Sequence, residues 1–175
     1  KGEMAYYWRA LDLRQCLLFT RFTWRDDAKR RWRYESVRLM HLVEQHLGLE
    51  WGTITTLDDG GCSVRLGGTL DAWAVKHGTG SGQTAYGNVE TVALDGGGVG
   101  LSVATPRSGI VVALASQVVV PGSDRRGLAL DDDRCGESVQ VVRQTGVPIP
   151  FVKYAVCYTS REEAQPLAVA TTALR

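Results

Sequence analysis

His77 closes the apolar stretch "LDAWAVKH" and is followed directly by a turn of small residues that begins Gly78-Thr79. A histidine in this place can offer a ring nitrogen to a ligand at the end of a buried strand. Glycines beside it let the backbone approach that ligand closely. The alternative is an ordinary turn with a structural histidine. The residues alone leave both interpretations open.

Glu137 is the second residue whose type and place could serve chemistry. It begins the strand-like run "ESVQVV" after a loop that contains three consecutive aspartates, Asp131, Asp132 and Asp133. A carboxylate can stabilise positive charge that develops during group transfer and can align a nucleophile. The alternative is a solvated glutamate. The three aspartates point in different directions, so they indicate an exposed loop and no metal site.

A basic and aromatic stretch spans residues 24–34. Its arginines are interleaved with tryptophans, a pattern that suits phosphate contact together with base stacking. The same pattern suits a helix whose tryptophans pack inward while its arginines face water. The formal net charge of the chain is only +1, so bulk charge favours no acidic partner. The residues of this candidate contact surface for protein or nucleic acid are Trp24, Arg30, Arg31, Trp32 and Arg33.

The spacing of apolar residues predicts the elements that would position these groups. In "ESVRLMHLVEQHLGL", Val37, Met40, Val43 and Leu47 recur at three- and four-residue steps, which predicts a helix. "TITTL" and "CSVRL" around "DDGG" predict a β-hairpin. "GQTAYGNVETVAL" predicts a helix, and period-two alternation in "PFVKYAVCYT" predicts a strand. The predicted fold class is α+β, with a helical N-terminal lobe followed by a small, mixed or antiparallel β-domain. The predicted segments are a lobe at 1–50, a connecting hairpin at 51–70, a β-rich domain at 71–160 and a tail at 161–175.

Three stretches of the β-rich region, in order, resemble the ADP-ribosyltransferase fold in its PARP-like branch. "KHGTG" is similar to the His-Gly-Thr segment that ends the first core strand of that family. "VALDGGGVGLSVATPRSG" resembles its glycine turn and short strand, and "GESVQVVRQTGVPIPFVKYAVCY" resembles its closing strands. The likeness covers roughly residues 70–159, and the N-terminal third lies outside it.

The resemblance implies NAD as the substrate and no metal. His77 would hydrogen-bond a ribose hydroxyl, Gly78 would offer its backbone to the nicotinamide, and Glu137 would orient the ribose and the acceptor. Leu101 stands where the family has a stacking tyrosine, and leucine offers neither a π face nor a hydroxyl group. The implied catalytic residues are His77 and Glu137, and the implied NAD-binding residues are His77, Gly78, Thr79, Leu101 and Ser102.

Three functions are compatible with this resemblance. The first is transfer of ADP-ribose from NAD to a protein or nucleic acid acceptor. The second, favoured by Leu101, is a catalytically inactive scaffold or interaction subunit with an ADP-ribosyltransferase-like fold. The third is an RNA 2′-phosphotransferase-like enzyme, which would require arginines converging on the same cleft.

The cysteines and the hydropathy pattern bear on the compartment. Cys16, Cys62, Cys135 and Cys157 are widely separated and form no C-x-x-C motif, which favours free thiols over a zinc site or disulfides. A reducing, intracellular compartment is therefore expected. No apolar run is long enough to span a bilayer.

Overall fold

The computed structural model describes residues 2–72, 87–123 and 125–174, and these residues are mostly β-strand. The elements, in chain order, are β1 (Glu3–Asp12), β2 (Leu17–Arg25), β3 (Arg31–Met40), β4 (Leu47–Thr56), β5 (Cys62–Asp71), β6 (Gly87–Ala93), β7 (Val99–Ala104), β8 (Val111–Val119), β9 (Arg125–Leu130), β10 (Arg134–Arg143), β11 (Ile149–Thr159) and the helix α1 (Pro166–Ala173).

The chain divides into two compact units. The first unit is Lys1–Leu66, Val118–Arg125 and Val139–Tyr154, and the second unit is Gly67–Gln117, Arg126–Ser138 and Ala155–Arg175. Strands β5, β8, β9, β10 and β11 contribute residues to both units. The predicted segment boundaries after residues 50, 70 and 160 stay predictions.

In the first unit, β1, β2, β3 and β4 are paired antiparallel in that order, and β11 follows β4 in the same sheet. Strands β5 and β10 pair in a different sheet. Apolar side chains from both sheets meet in one core. From the sheet of β1–β4 and β11 come Trp32, Ile54, Ile149 and Phe151, and from the sheet of β5 and β10 come Cys62, Val139 and Val141.

The predicted helical lobe over residues 1–50 is wrong, because these residues form β1, β2, β3 and the start of β4. Aromatic side chains at alternate positions of β2 and β3 explain the difference. The rings of Phe22 and Tyr34 stack with centroids 4.6 Å apart, and those of Trp24 and Trp32 stack at 5.8 Å. Such cross-strand pairs stabilise a sheet, and they override a coincidental helix-like spacing of apolar residues. The α+β class is therefore wrong as well.

Aspartates set the turns that join the first three strands. The Asp12 carboxylate accepts hydrogen bonds from the backbone N–H groups of Arg14 and Gln15, at 2.9 and 3.0 Å. The Asp26 carboxylate likewise accepts one from the N–H of Arg30, at 2.9 Å. Aspartate side chains favour turns through this kind of bond to the backbone ahead of them. The strands therefore reverse direction at these two points.

In the second unit, β11, β8, β7 and β6 follow one another in one sheet, and β6, β7 and β8 are antiparallel. Strands β5, β10 and β9 form the other sheet. Val99 and Leu101 of β7 pack with Ala72 and Cys135 in the core of this unit. A helix predicted in "GQTAYGNVETVAL" is wrong where it is described, because residues 87–93 form β6.

The helix α1 lies in the tail, where the sequence carried little signal. Pro166 occupies its first turn, a position that needs no backbone N–H. Its side chains Leu167 and Thr171 lie close over Gly100 of β7: a Cβ on that glycine would come within 3.2 and 3.1 Å of them. The absence of a side chain at Gly100 therefore lets the helix sit directly on the strand.

Replacing Gly52 tests the packing of the first unit. A Cβ there would collide with the backbone oxygen of Glu35 and lie 3.0 Å from the Phe151 ring. We expect Gly52→Ala to lower the free energy of unfolding by about 2–3 kcal/mol, measured by urea denaturation. Gly61→Ala is the control, because its nearest contact would be 3.8 Å away. Equal stability of the two variants would contradict this packing.

Candidate functional site

The residues predicted to bind NAD do not form one described site. His77, Gly78 and Thr79 lie outside the described residues. Leu101 and Ser102 are consecutive on β7, so their side chains leave the strand on opposite faces. Leu101 lies in the core of the second unit, whereas Ser102 lines a groove below α1. Whether any of these residues belongs to a functional site stays a prediction.

Glu137, on β10, is buried with 3% of its surface exposed. Its carboxylate forms an ion pair with the guanidinium of Arg126 in the same unit. A buried carboxylate needs such a partner, because its burial alone would be costly. The sequence indicated either a site residue or a solvated one, and the structure shows a buried residue in an ion pair.

A groove of about 480 Å³ lies in the second unit between α1 and the strands β6 and β7. Glu90, Ser102 and Gln165 give its lining polar groups, while Leu94 and Leu167 make part of it apolar. Glu90 is the single carboxylate among the described residues that line it. The groove has room for a small ligand. With one carboxylate, its described lining lacks the pair that general acid and base catalysis by carboxyl groups would use.

Thiol and metal chemistry find little support in the described residues. The Cys135 thiol donates a hydrogen bond to the carbonyl of Gly100 at 3.3 Å, and burial raises its pKa to about 11. It is therefore protonated near neutral pH and is a poor nucleophile. In residues 2–72, 87–123 and 125–174, no group of three or more His, Cys, Asp or Glu side chains could hold a metal ion.

The basic and aromatic stretch lies on the end of β2, the following turn and β3, not on a helix. Trp32 is buried, and its indole N–H donates to the Asp26 carboxylate at 3.0 Å. Arg30 pairs with Asp26 at 3.0 Å, and its guanidinium lies 5.6 Å from the centre of the Trp32 ring. Arg31 pairs with Asp58 at 2.7 Å. These contacts hold the turn together and neutralise both arginines.

Three carboxyl groups of the first unit have pKa values below their usual range. Arg31 lowers the pKa of Asp58 by hydrogen bonding to it. Burial opposes ionisation of Asp26 and Glu50, but hydrogen bonds outweigh it and lower both pKa values. For Asp26 the donors are Trp32 and Arg30, and for Glu50 they include Tyr34 and Arg38. All three groups are therefore held as anions near neutral pH.

A second groove, of about 280 Å³, lies on the sheet of the first unit. Two of the residues that line it, Trp8 and Trp51, are 45% and 54% exposed. Arg21 and Glu35 also line it, and they form an ion pair at 3.2 Å. The sequence analysis missed this face, because it predicted helix for residues that form β1, β2 and β3. Period-two alternation in β2 and β3 could have revealed it.

Comparison with known proteins identifies the family. The family model described as "Glycosyl hydrolase family 65, N-terminal domain" matches residues 1–175. The chain belongs to this family. A solved structure described as "Putative kojibiose phosphorylase from human microbiome" has a similar fold, with a TM-score of 0.77 at 15% sequence identity. The match covers 99% of this chain and 23% of that one, so the chain spans less than a quarter of that protein. No curated protein matches the sequence.

Membership of glycosyl hydrolase family 65 corrects the earlier interpretation. The resemblance to ADP-ribosyltransferases is wrong. NAD as substrate and partner, transfer of ADP-ribose, the inactive ADP-ribosyltransferase-like scaffold and the RNA 2′-phosphotransferase alternative are wrong with it. Short strands with glycine turns recur in many β-rich folds, so "KHGTG" and "DGGGVG" did not distinguish between two such folds.

The four cysteines have free thiols, and Cys16 is exposed. The reducing compartment stays a prediction. No helix in the described part of the chain is long and apolar enough to cross a membrane.

The burial of Glu137 gives a test of its structural role. We expect Glu137→Ala to lower the free energy of unfolding by roughly 2–3 kcal/mol, because it removes a fully buried side chain and leaves the partly exposed Arg126 guanidinium without this carboxylate. Glu35→Ala breaks an Arg–Glu pair whose side chains are 45% and 43% exposed and should cost less than about 1 kcal/mol. Chemical denaturation of both variants measures the difference. Equal losses would contradict the structural role.

The lowered pKa of Glu50 predicts acid sensitivity of the first unit. Its stabilising contribution is complete above the usual pKa of 4.5 and is lost as the pH falls through the lower folded-state pKa. Tyr34→Phe removes one hydrogen-bond donor to Glu50. We expect this variant to be less stable at neutral pH and to lose less stability between about pH 5 and pH 3 than the parent. Thermal melts at several pH values measure this, and an identical pH dependence would refute it.

Proposed function

We propose that this chain serves as the non-catalytic N-terminal β-domain of a longer enzyme that cleaves glycosidic bonds. The observation that carries the proposal is the family match over all 175 residues. The structural relative adds support, since 99% of this chain aligns with 23% of a much longer protein. The larger remainder of such an enzyme would hold the reacting groups.

The carboxyl groups of the described residues support a non-catalytic role. Enzymes that cleave glycosidic bonds protonate the leaving oxygen with a carboxylic acid, which keeps its proton because its pKa is raised. Asp26, Glu50 and Asp58 have lowered pKa values instead. Glu137 is buried in an ion pair with Arg126. These groups serve the fold.

The proposed substrates of the longer enzyme are a glucose disaccharide and inorganic phosphate. Support comes from the printed name of the structural relative, a putative kojibiose phosphorylase. Phosphorolysis would break the bond between the anomeric carbon and the bridging oxygen and form a bond from that carbon to a phosphate oxygen. The leaving sugar would take up a proton. Hydrolysis, with water in place of phosphate, is the alternative within the same family.

An activity assay tests the proposal. The enzyme that includes residues 1–175 is incubated with kojibiose, with and without phosphate, and glucose 1-phosphate and glucose are measured. We expect glucose 1-phosphate with phosphate present, and no turnover by residues 1–175 alone. Turnover by residues 1–175 alone would overturn the non-catalytic role. Inactivity of the longer enzyme on kojibiose and on other glucose disaccharides would overturn the proposed substrate class.

A further inference from the structure

We propose that the groove between Trp8 and Trp51 on the first unit binds a neutral oligosaccharide. The inference rests on the proposed function, because it takes sugar as the ligand class of the longer enzyme. It adds a binding surface on the N-terminal domain itself. The groove, of about 280 Å³, lies across β1, β2, β3 and β4, which are paired antiparallel.

The register of the strands places the groove residues on one face. Trp8, Arg21, Glu35 and Thr53 lie opposite one another in a row across the four strands. Phe19, Val37 and Trp51 form the adjacent row, two residues along each strand. Residues directly opposite one another, and residues two apart in a strand, share a face of the sheet. The two tryptophans therefore flank a groove floor that combines the apolar side chains of Phe19 and Val37 with the charged side chains of Arg21 and Glu35.

The tryptophans suit a sugar ring. An indole ring carries negative charge density on its face, and it attracts the weakly positive C–H groups that line one side of a pyranose ring. Trp8 is 45% exposed and Trp51 54%, so both rings are accessible. Neighbouring strands are about 4.8 Å apart, and Trp51 lies three strands away from Trp8 and two residues along, so roughly 16 Å separates them. That distance suits an oligosaccharide better than a single sugar.

The polar groups of the floor indicate a neutral ligand rich in hydroxyl groups. Arg21 and Glu35 form an ion pair at 3.2 Å with no net charge. The pair still has free N–H donors on the guanidinium and free lone pairs on the carboxylate. Sugar hydroxyl groups can use both at once, whereas an anion would be repelled by Glu35. The centre of a protein interface is usually depleted of charged residues, so a sugar fits the groove better than a second protein.

Calorimetric titration of the 175-residue chain tests the inference. The probes are maltotriose and isomaltotriose, with inorganic phosphate as an anionic control. We expect at least one of the two trisaccharides to bind and phosphate not to bind. Trp8→Ala and Trp51→Ala should each weaken trisaccharide binding by about tenfold or more. Leu13→Ala is the control: Leu13 is 81% exposed, follows the end of β1 and does not line the groove. It should bind as the parent does.

Several results would overturn the inference. One is the absence of trisaccharide binding at millimolar concentration. Another is equal binding of the trisaccharide by the parent and both tryptophan variants, and a third is phosphate binding that competes with the sugar. Sedimentation velocity gives a further test: a dimer of the chain that Trp51→Ala dissociates would assign the face to protein contact. Titration of the chain requires no turnover. Its failure would therefore leave the kojibiose assay standing, and failure of that assay would leave the titration result unchanged.

Discussion

Stacked aromatic rings between β2, β3 and β11 are the contact on which the first unit depends. Phe22 stacks on Tyr34, and the Tyr34 ring lies 5.8 Å from that of Phe151 in the core. The stack forms only if the chain reverses twice in the first forty residues and the strands keep one register, because a one-residue slip would move every ring to the other face. The turns at Asp12 and Asp26 and the absence of a side chain at Gly52 are local conditions for this arrangement.

The charged residues follow from the same constraint. Trp32 is buried in the core of the first unit, and its indole N–H needs an acceptor, which Asp26 provides. Arg30 then balances the charge of Asp26. Residues 24–34, predicted from the sequence to be a basic and aromatic contact surface, therefore stabilise the turn between β2 and β3. On the opposite face of the sheet, Trp8 and Trp51 flank a charged pair with no net charge.

The sequence predicted the later strands better than the first fifty residues. Alternation in "PFVKYAVCYT" predicted a strand, and β11 confirms it. Residues 53–56 of "TITTL" lie in β4 and "CSVRL" lies in β5. The hairpin predicted from them is wrong, because the structure places these strands in different sheets. The helix expected at "ESVRLMHLVEQHLGL" is wrong, because Val37 and Met40 belong to β3 and Val43 lies in the loop before β4. The strand partners that decide between helix and strand are distant in sequence. The burial of Glu137 could not be predicted from the loop residues that precede it in the sequence. Arg126 on β9 pairs with Glu137 on β10 because these two strands are neighbours in the sheet.

We propose that the carboxyl groups of Asp26, Glu50, Asp58 and Glu137 serve the fold of this domain and that catalysis takes place elsewhere in a longer enzyme. The most direct test is the phosphorolysis rate of that enzyme with Glu137→Gln, measured below the melting temperature of the variant. We expect a lower melting temperature and a kcat within a few-fold of the parent. A fall in kcat of about 10²-fold or more at an unchanged melting temperature, as expected for loss of an acid–base group, would contradict it.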